Sequence, residues 1–531
     1  MSDRSENIPE GSPFVTSTLP ADVAGSPLSG HFERLADLMH AVAEQFPDND
    51  ALITQDETLT FGMWWRAAGG AAELFAERGV TPGDVVMFLL PTSVDYAIAT
   101  AGAIRAGAIP TGLNTRLGKG EISGIIDHAK PAIIVVDPKL AEKLPDPAPT
   151  GVVTRAELAE RAGRGGDPAL PDVSPDDPAV IVWTSGTTGL PKGAWFSHRR
   201  LKGVATKAGD MARAFDRRLS STPFVHAGFM TRLWEQFGFV LALTVTPEPW
   251  DARKVLQTLS TQRITSAGGV PTQWVKLLQL PELDTLDLST LRVATTSTAP
   301  ASPELIEEIQ RRFGVPVICR YASTEIATGT GTRVDDPPEV AFRTVGRPQE
   351  GVEVSVVADD GGPAAEGEVG RVRIRHDACM NGYWKDPVRT AETITPDGWV
   401  ITGDLGRIDE NGNLVLAGRK SDMYIRGGYN VYPLEVENVL SIHPKVEQVA
   451  VLGAQTPVIG EIGVAVVVPA DAADPPTLEE LRAWSKGYLA DYKAPDELRL
   501  TDALPRNAAL KVDRPALRAW LEGIRDGEGR S

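Results

Sequence analysis

The run Thr184-Ser185-Gly186-Thr187-Thr188-Gly189-Leu190-Pro191-Lys192-Gly193 holds the means to grip a polyphosphate. Its glycines let the backbone approach closely, four hydroxyls offer donors, and Lys192 adds a positive charge. The spacing differs from the Gly-Lys-Ser/Thr phosphate loop of ordinary NTPases. A second candidate is Glu325, in Tyr321-Ala322-Ser323-Thr324-Glu325. It follows the apolar run Val315-Pro316-Val317-Ile318, which puts it where a strand ends and a loop begins, the usual ligand edge of an open α/β sheet. The seven histidines and the two cysteines, Cys319 and Cys379, show no metal-type spacing.

Elements able to carry these residues alternate along the chain. Leu35, Leu38, Met39, Val42 and Phe46 recur at helical spacing and Pro47 follows as a stop. A second helix is expected over Trp64 to Arg78, a buried strand over Val85 to Leu90, a helix over Val94 to Ala106 and a strand over Ile133 to Val136. The alternation argues for α/β layers with largely parallel sheets. The Pro-, Asp- and Gly-rich stretch 145–178 reads as a surface excursion, after which Val180-Ile181-Val182-Trp183 resumes the pattern. Beyond about residue 420 shorter units appear: Val449 to Leu452, Gly463 to Pro469, Leu478 to Leu489 and Leu498 to Leu500. The fold class expected is α/β, a large N-terminal domain of layered subdomains with a small mobile α+β C-terminal domain. The boundaries are 1–30 for a mobile arm, 31–420 and 421–520 for the two domains, and 521–531 for a tail.

Bulk properties narrow the function. The chain of 531 residues is too long for one ordinary domain, and 42% apolar with 23% charged residues is a globular composition. Two cysteines fit a reducing cytoplasm better than a disulfide framework. The start of the chain lacks the pattern of a signal peptide, and no run approaches the about 20 apolar residues of a membrane span. A formal charge of −18 repels nucleic acid and anionic lipid, so phosphorylated substrates must be captured by local donors.

The phosphate-gripping run resembles the signature of the adenylate-forming superfamily: acyl-CoA synthetases, luciferases and the adenylation domains of peptide synthetases. Further motifs follow in the family's order: Gly269-Val270-Pro271-Thr272, Tyr321 to Glu325, Gly382-Tyr383-Trp384, and Gly398-Trp399 leading to Thr402-Gly403-Asp404. After these come Gly418-Arg419-Lys420-Ser421-Asp422, Gly427-Gly428-Tyr429-Asn430-Val431-Tyr432-Pro433, and Pro505-Arg506-Asn507 ahead of Lys511. The likeness runs from about residue 35 to 520 and is greatest to the acyl-CoA synthetases.

The resemblance implies roles. ATP and AMP would be held by Thr184, Ser185, Gly186, Thr187, Thr188 and Gly189, with Ser297, Thr298, Tyr321, Ala322, Thr324, Asp404, Arg419 and Lys511. Asp404 would accept from the ribose hydroxyls, and Arg419 would reach the ribose or phosphate. Glu325 and Thr184 would coordinate Mg2+, whose hard character suits oxygen ligands. Lys511, Lys192, Glu325 and Thr324 would be catalytic, the Lys511 ammonium meeting charge that builds as an acid attacks the α-phosphorus. His226, Gly269, Thr296, Ser297 and Ala322 would line the acyl pocket, Ser421 would lie in the hinge, and Gly427 and Gly428 would line a tunnel for CoA. Three departures from the family stand out: Ser421 where a charged hinge residue is common, Leu510 where glycine usually precedes the lysine, and the bulk of Ser297, Thr298 and Ala322. The last narrows the slot and favours an aromatic or short-to-medium acid.

The expected activity is an ATP-dependent acid ligase that forms an acyl-AMP and transfers the acyl group to CoA. The alternatives are transfer to an amine and the loading of a carrier protein. Partners are then a small carboxylic acid and its acceptor, without nucleic acid or a membrane span, and a homodimer is left open.

Overall fold

The computed structural model describes residues 24–28, 31–147, 151–184, 191–247, 249–296, 303–456, 460–507 and 511–528. Most of the expected N-terminal arm, the core of the phosphate-gripping run (185–190), Ser297, Thr298 and Leu510 lie outside the described residues. Among those described, the strands form sheets of seven, nine, four and five strands.

The seven-stranded sheet runs in the order Gly382–Tyr383, Lys192–Ser197, Pro178–Thr184, Ile109–Gly112, Val85–Leu89, Ile133–Val136, Gly151–Thr154. Its last five strands pair in parallel, while Lys192–Ser197 and Gly382–Tyr383 close one edge antiparallel. Val85–Leu89 explains why its sequence is apolar without alternation. Val86 and Phe88 enter one core, and Val85, Met87 and Leu89 enter another on the opposite face. The helices Phe61–Glu77 and Val94–Arg105 start at Thr60 and Ser93, whose side chains accept from Met63 N and Tyr96 N.

The nine-stranded sheet is ordered Arg347–Pro348, Ala327–Gly331, Val317–Ser323, Val293–Thr296, Ser266–Gly269, Arg217–Ser220, Ala242–Val245, Asp50–Ile53, Thr58–Thr60. Its interior is parallel and its edges antiparallel. A fully antiparallel sheet of Glu353–Val357, Gly370–Arg375, Val400–Ile408 and Leu414–Arg419 follows.

The stretch 145–178 is more ordered than its composition suggests. It contains the edge strand Gly151–Thr154, paired with Ile133–Val136, and the helix Arg155–Arg164. That helix buries only Leu158 and Ala162, too little apolar surface to show a periodic stripe. Its start was written in the sequence all the same: Thr154 and Glu157 make a reciprocal capping box.

From Tyr424 onward the chain builds its own core. Val464, Val466 and Val468 of the strand Gly460–Pro469 pack with Leu504, Leu517 and Leu521 on one face. Ala465 and Val467 pack with Val436, Leu440 and Leu481 on the other. The helix Arg514–Glu528 runs straight through position 520, because Leu517 and Leu521 belong to the same core.

Candidate active site

Glu325 owes its position to a tight hairpin. Strand Val317–Ser323 pairs antiparallel with Ala327–Gly331, and Ser323 opposite Ala327 leaves Thr324, Glu325 and Ile326 as a three-residue loop. Ala327 takes a left-handed φ of 51°, the conformation that closes such loops. For alanine this costs about 1 kcal/mol or more. Glu325 Oε1 accepts from the hydroxyl of Tyr383 at 3.0 Å, and its backbone carbonyl accepts from Met380 N at 2.9 Å.

Lys192 lies across a strand pair from Thr184, whose hydroxyl donates to the Lys192 carbonyl at 3.4 Å. The Lys192 ammonium stands 5.1 Å from the centroid of the Tyr383 ring. Tyr383 thus touches both Lys192 and Glu325, and burial, then Glu325, push its phenol well above the ordinary range.

A second polar cluster forms where two strands face each other. Asp404 and Arg419 are register partners on Val400–Ile408 and Leu414–Arg419, and Arg419 Nε lies 3.4 Å from Asp404 Oδ1. The Tyr321 hydroxyl donates to Asp404 Oδ2 at 2.5 Å. Burial raises the Tyr321 phenol first and the Asp404 charge adds to it, so this hydroxyl stays protonated and donating. Beside the nearly buried Tyr321, Ala322 is exposed.

Lys511 arrives from the small lobe beside an isolated antiparallel bridge. Its backbone N–H donates to Asn507 Oδ1 at 3.1 Å, Asn507 N donates back to the Lys511 carbonyl at 2.9 Å, and Arg506 bridges Val512. The ammonium is within electrostatic reach of Arg419, Glu325 and Asp404. Desolvation first, then Arg419, hold it below its ordinary range, against the opposing pull of Glu325 and Asp404. The residue as a whole is exposed, so this shift belongs to the ammonium end among those charges and not to a buried side chain.

His226 caps the start of the short helix Ala227–Met230. Burial, then Lys511 and Arg116, keep its imidazole below the usual range, so the neutral ring faces the same ammonium. Behind it Phe224 stacks on Phe229 at 3.9 Å, with Tyr96 edge-on to both. Thr296 is buried at the end of its strand. A Cβ at Gly269 would come 3.1 Å from Trp274 Nε1, so glycine leaves that wall flush.

Gly427 and Gly428 form the two-residue turn between Tyr424–Arg426 and Tyr429–Val431. Their φ values of 56° and 88° are those of a type I′ hairpin, which demands left-handed residues, and an added Cβ at either would meet nothing within 4 Å. Ser421 is exposed and donates to Asp422 Oδ1 at 3.1 Å.

The structure thus brings Tyr321, Asp404 and Arg419 into one cluster and Thr184, Lys192, Glu325 and Tyr383 into a second, with Lys511 within electrostatic reach of both and His226 within reach of Lys511. Thr324 precedes Glu325 in its loop, while 185–190, Ser297 and Thr298 lie outside the described residues. Sequence reasoning gave no role to two contact-making residues, Tyr383 and Asn507. Both stand inside quoted motifs, where an aromatic beside glycine and an asparagine four positions before the lysine were the available signals. Among the described residues no group of three or more His, Cys, Asp or Glu could hold a metal ion, and no helix is long and apolar enough to cross a membrane.

Known proteins match the chain over most of its length. A ligase for a methyl-dioxo-octahydroindenyl propanoate and CoA from Rhodococcus jostii is 33% identical over 523 residues, covering 90% of this chain and 96% of its own. A feruloyl-CoA synthase from Amycolatopsis is 32% identical, covering 88% and 95%. The ATP-bound crystal structure of MatB from Rhodopseudomonas palustris matches with a TM-score of 0.81 at 29% identity, covering 92% of this chain and 99% of that one. The apo structure of the same protein gives 0.73. The model of the AMP-binding enzymes matches residues 39–384, and that of their C-terminal domain matches 435–511. Both lobes that form the cleft are therefore accounted for, and the chain belongs to the AMP-binding enzyme family.

Proposed function

We propose that this chain is an ATP-dependent carboxylic acid–CoA ligase, forming an acyl-AMP with release of pyrophosphate and then an acyl-CoA thioester. The observation that carries the reading is the Tyr321–Asp404–Arg419 cluster beside the Glu325–Tyr383–Lys192 cluster, with Lys511 of the small lobe within electrostatic reach of Arg419, Glu325 and Asp404. The domains are then 31–420 and a small lobe that begins at 421 and runs on through the helix Arg514–Glu528 past the expected bound of 520, with Ser421 as the hinge. The higher likeness to ATP-bound than to apo MatB supports an adenylate-forming arrangement of the lobes.

In this reading Asp404 accepts from the ribose hydroxyls, oriented by the Tyr321 phenol and paired with Arg419. Ala322 lies along the adenine, and residues 184–189 with Lys192 cradle the phosphates. The acid's carboxylate oxygen attacks the α-phosphorus, an oxygen–phosphorus bond forms, and the bond to pyrophosphate breaks. Lys511, with Thr324, meets the charge on the reacting phosphate. Glu325 and Thr184 would hold Mg2+, which neutralises polyphosphate charge when bound. One carboxylate and one hydroxyl suit an ion that keeps waters and substrate oxygens as its other ligands.

Thioester formation follows when the small lobe turns about Ser421 and brings the Gly427–Gly428 hairpin toward the acyl-AMP. The pocket near His226, Gly269, Thr296, Ser297 and Ala322 takes an aromatic or short-to-medium acid. The glycine-flush wall at Trp274 and the cyclic acids named for the relatives support this. The two free cysteines are in keeping with a cytoplasmic enzyme.

The test is an acid-panel pyrophosphate-exchange screen, repeated with CoA and with amines. Exchange with an aromatic acid and conversion to thioester only with CoA is the expected result. Exchange without thioester, and AMP release with amines, replaces CoA by an amine as acceptor.

A further inference from the structure

Residues 380–384 hold both halves of the phosphate end of the cleft. Gly382–Tyr383 pairs antiparallel with Ala194–Trp195, on the strand that begins at Lys192. Trp384 N donates to the Gly193 carbonyl at 2.7 Å and Asn381 N to the Trp195 carbonyl at 2.9 Å. The same segment reaches the other way, through Met380 N to the Glu325 carbonyl and the Tyr383 hydroxyl to Glu325 Oε1.

The tyrosine itself is firmly held. Its backbone N–H donates to Thr390 Oγ1 at 2.9 Å, and Thr390 in turn donates to the Asp386 carbonyl at 2.8 Å. Gly382 leaves no slack either, since a Cβ there would meet Thr390 Cγ2 at 2.8 Å. The ring is 4% exposed, with its hydroxyl on Glu325 and its face toward the Lys192 ammonium.

We propose that Tyr383 is a positioning residue that sets Glu325 and Lys192 against each other, coupling metal capture to phosphate capture. The inference rests on the reading of Glu325 as a metal ligand and Lys192 as a phosphate ligand. The hydroxyl occupies a lone pair on Oε1 and fixes rotation of the carboxylate. A cation held over a buried ring loses freedom without losing charge, so Lys192 is kept extended toward the phosphates. Partners of this kind, which orient a ligand without touching the metal, typically change metal affinity 10- to 100-fold when lost.

The two contacts separate by mutation. Tyr383→Phe keeps the ring and removes the hydroxyl, whereas Tyr383→Leu removes both. ATP binding by the full chain is measured by calorimetry in EDTA and across a Mg2+ series, with the melting temperature recorded for each variant. For Tyr383→Phe the Mg2+ midpoint should rise about tenfold while the ATP Kd in EDTA stays at the wild-type value. For Tyr383→Leu the Kd in EDTA should weaken as well. In a Glu325→Gln background, Tyr383→Phe should add no further shift, because its effect passes through that carboxylate. An unchanged Mg2+ midpoint in Tyr383→Phe, or an equal loss with and without Mg2+, overturns the proposal. A wild-type protein whose ATP affinity ignores Mg2+ overturns the site reading, and the tyrosine's role with it.

Discussion

Asp404 and Arg419 face each other on neighbouring strands of one sheet, and Tyr321 reaches Asp404 from another, so this cluster, the proposed ribose site, is set by sheet register and a buried phenol. Lys511 belongs to the small lobe, fixed locally by Asn507 and joined to the large lobe through the segment after Arg419. The first cluster cannot move without breaking strand pairs. The second can leave as a unit, because the small lobe carries its own core on both faces of its sheet. A ligand that must stay through two reactions belongs on the first, and a charge needed for one belongs on the second.

Removing the mobile charge breaks this comparison most sharply. Lys511→Ala should lower adenylate formation by roughly 10²–10³-fold, the usual loss for one group aimed at developing charge. Transfer from preformed acyl-AMP to CoA should stay near wild type. Pyrophosphate exchange and single-turnover thioester formation give the two numbers, and equal losses would mean that the lysine serves both steps.

Asp404→Ala attacks the fixed side and should do two things at once. Each ribose hydroxyl left unpaired costs about 1–3 kcal/mol, raising the Michaelis constant for ATP. The Tyr321 hydroxyl, buried against that carboxylate, also loses its acceptor, so thermal stability should fall by a similar amount. A full ATP response with unchanged melting would dismiss the ribose assignment.

The alkaline limb of the adenylation profile is a finer probe. Lys511 acts as the ammonium, which is present below its pKa and lost above it. Because the cleft lowers that pKa from 10.5, adenylation should decline at a lower pH than an ordinary lysine would dictate. Arg419→Gln removes a contributing positive charge and should move the limb upward, though incompletely, since desolvation is the larger cause. A limb that does not move would detach Lys511 from this cluster.

The smallest effect is expected at the hairpin of the small lobe. Gly427→Asn suits a left-handed position and should alter stability by less than about 1 kcal/mol, whereas Gly427→Val should cost about 1–2 kcal/mol. Both should spare pyrophosphate exchange. Only if the hairpin lines the path of the thiol should the asparagine variant slow thioester formation. Chemical denaturation and the two half-reaction assays separate turn strain from obstruction.

Read alone, the sequence displayed the alternation of helices and strands, the texture change near residue 420, and ordered motifs resembling those of the adenylate-forming enzymes. Those features are local, carried by apolar periodicity, caps and turn residues within a few positions of one another. It understated 145–178, where a polar helix buries two side chains and leaves no stripe to see. It read the paired glycines at 427 and 428 for the space they leave, while their positive φ values show that the turn itself requires them. Only the tertiary structure brought Tyr383 to Glu325 across 58 positions and Tyr321 to Asp404 across 83. Only it set Lys511 from one lobe among the charges of the other. A hydrogen bond between segments of different sheets and their loops, or a field between two lobes, has no period and no spacing along the chain; it exists once the sheets are packed.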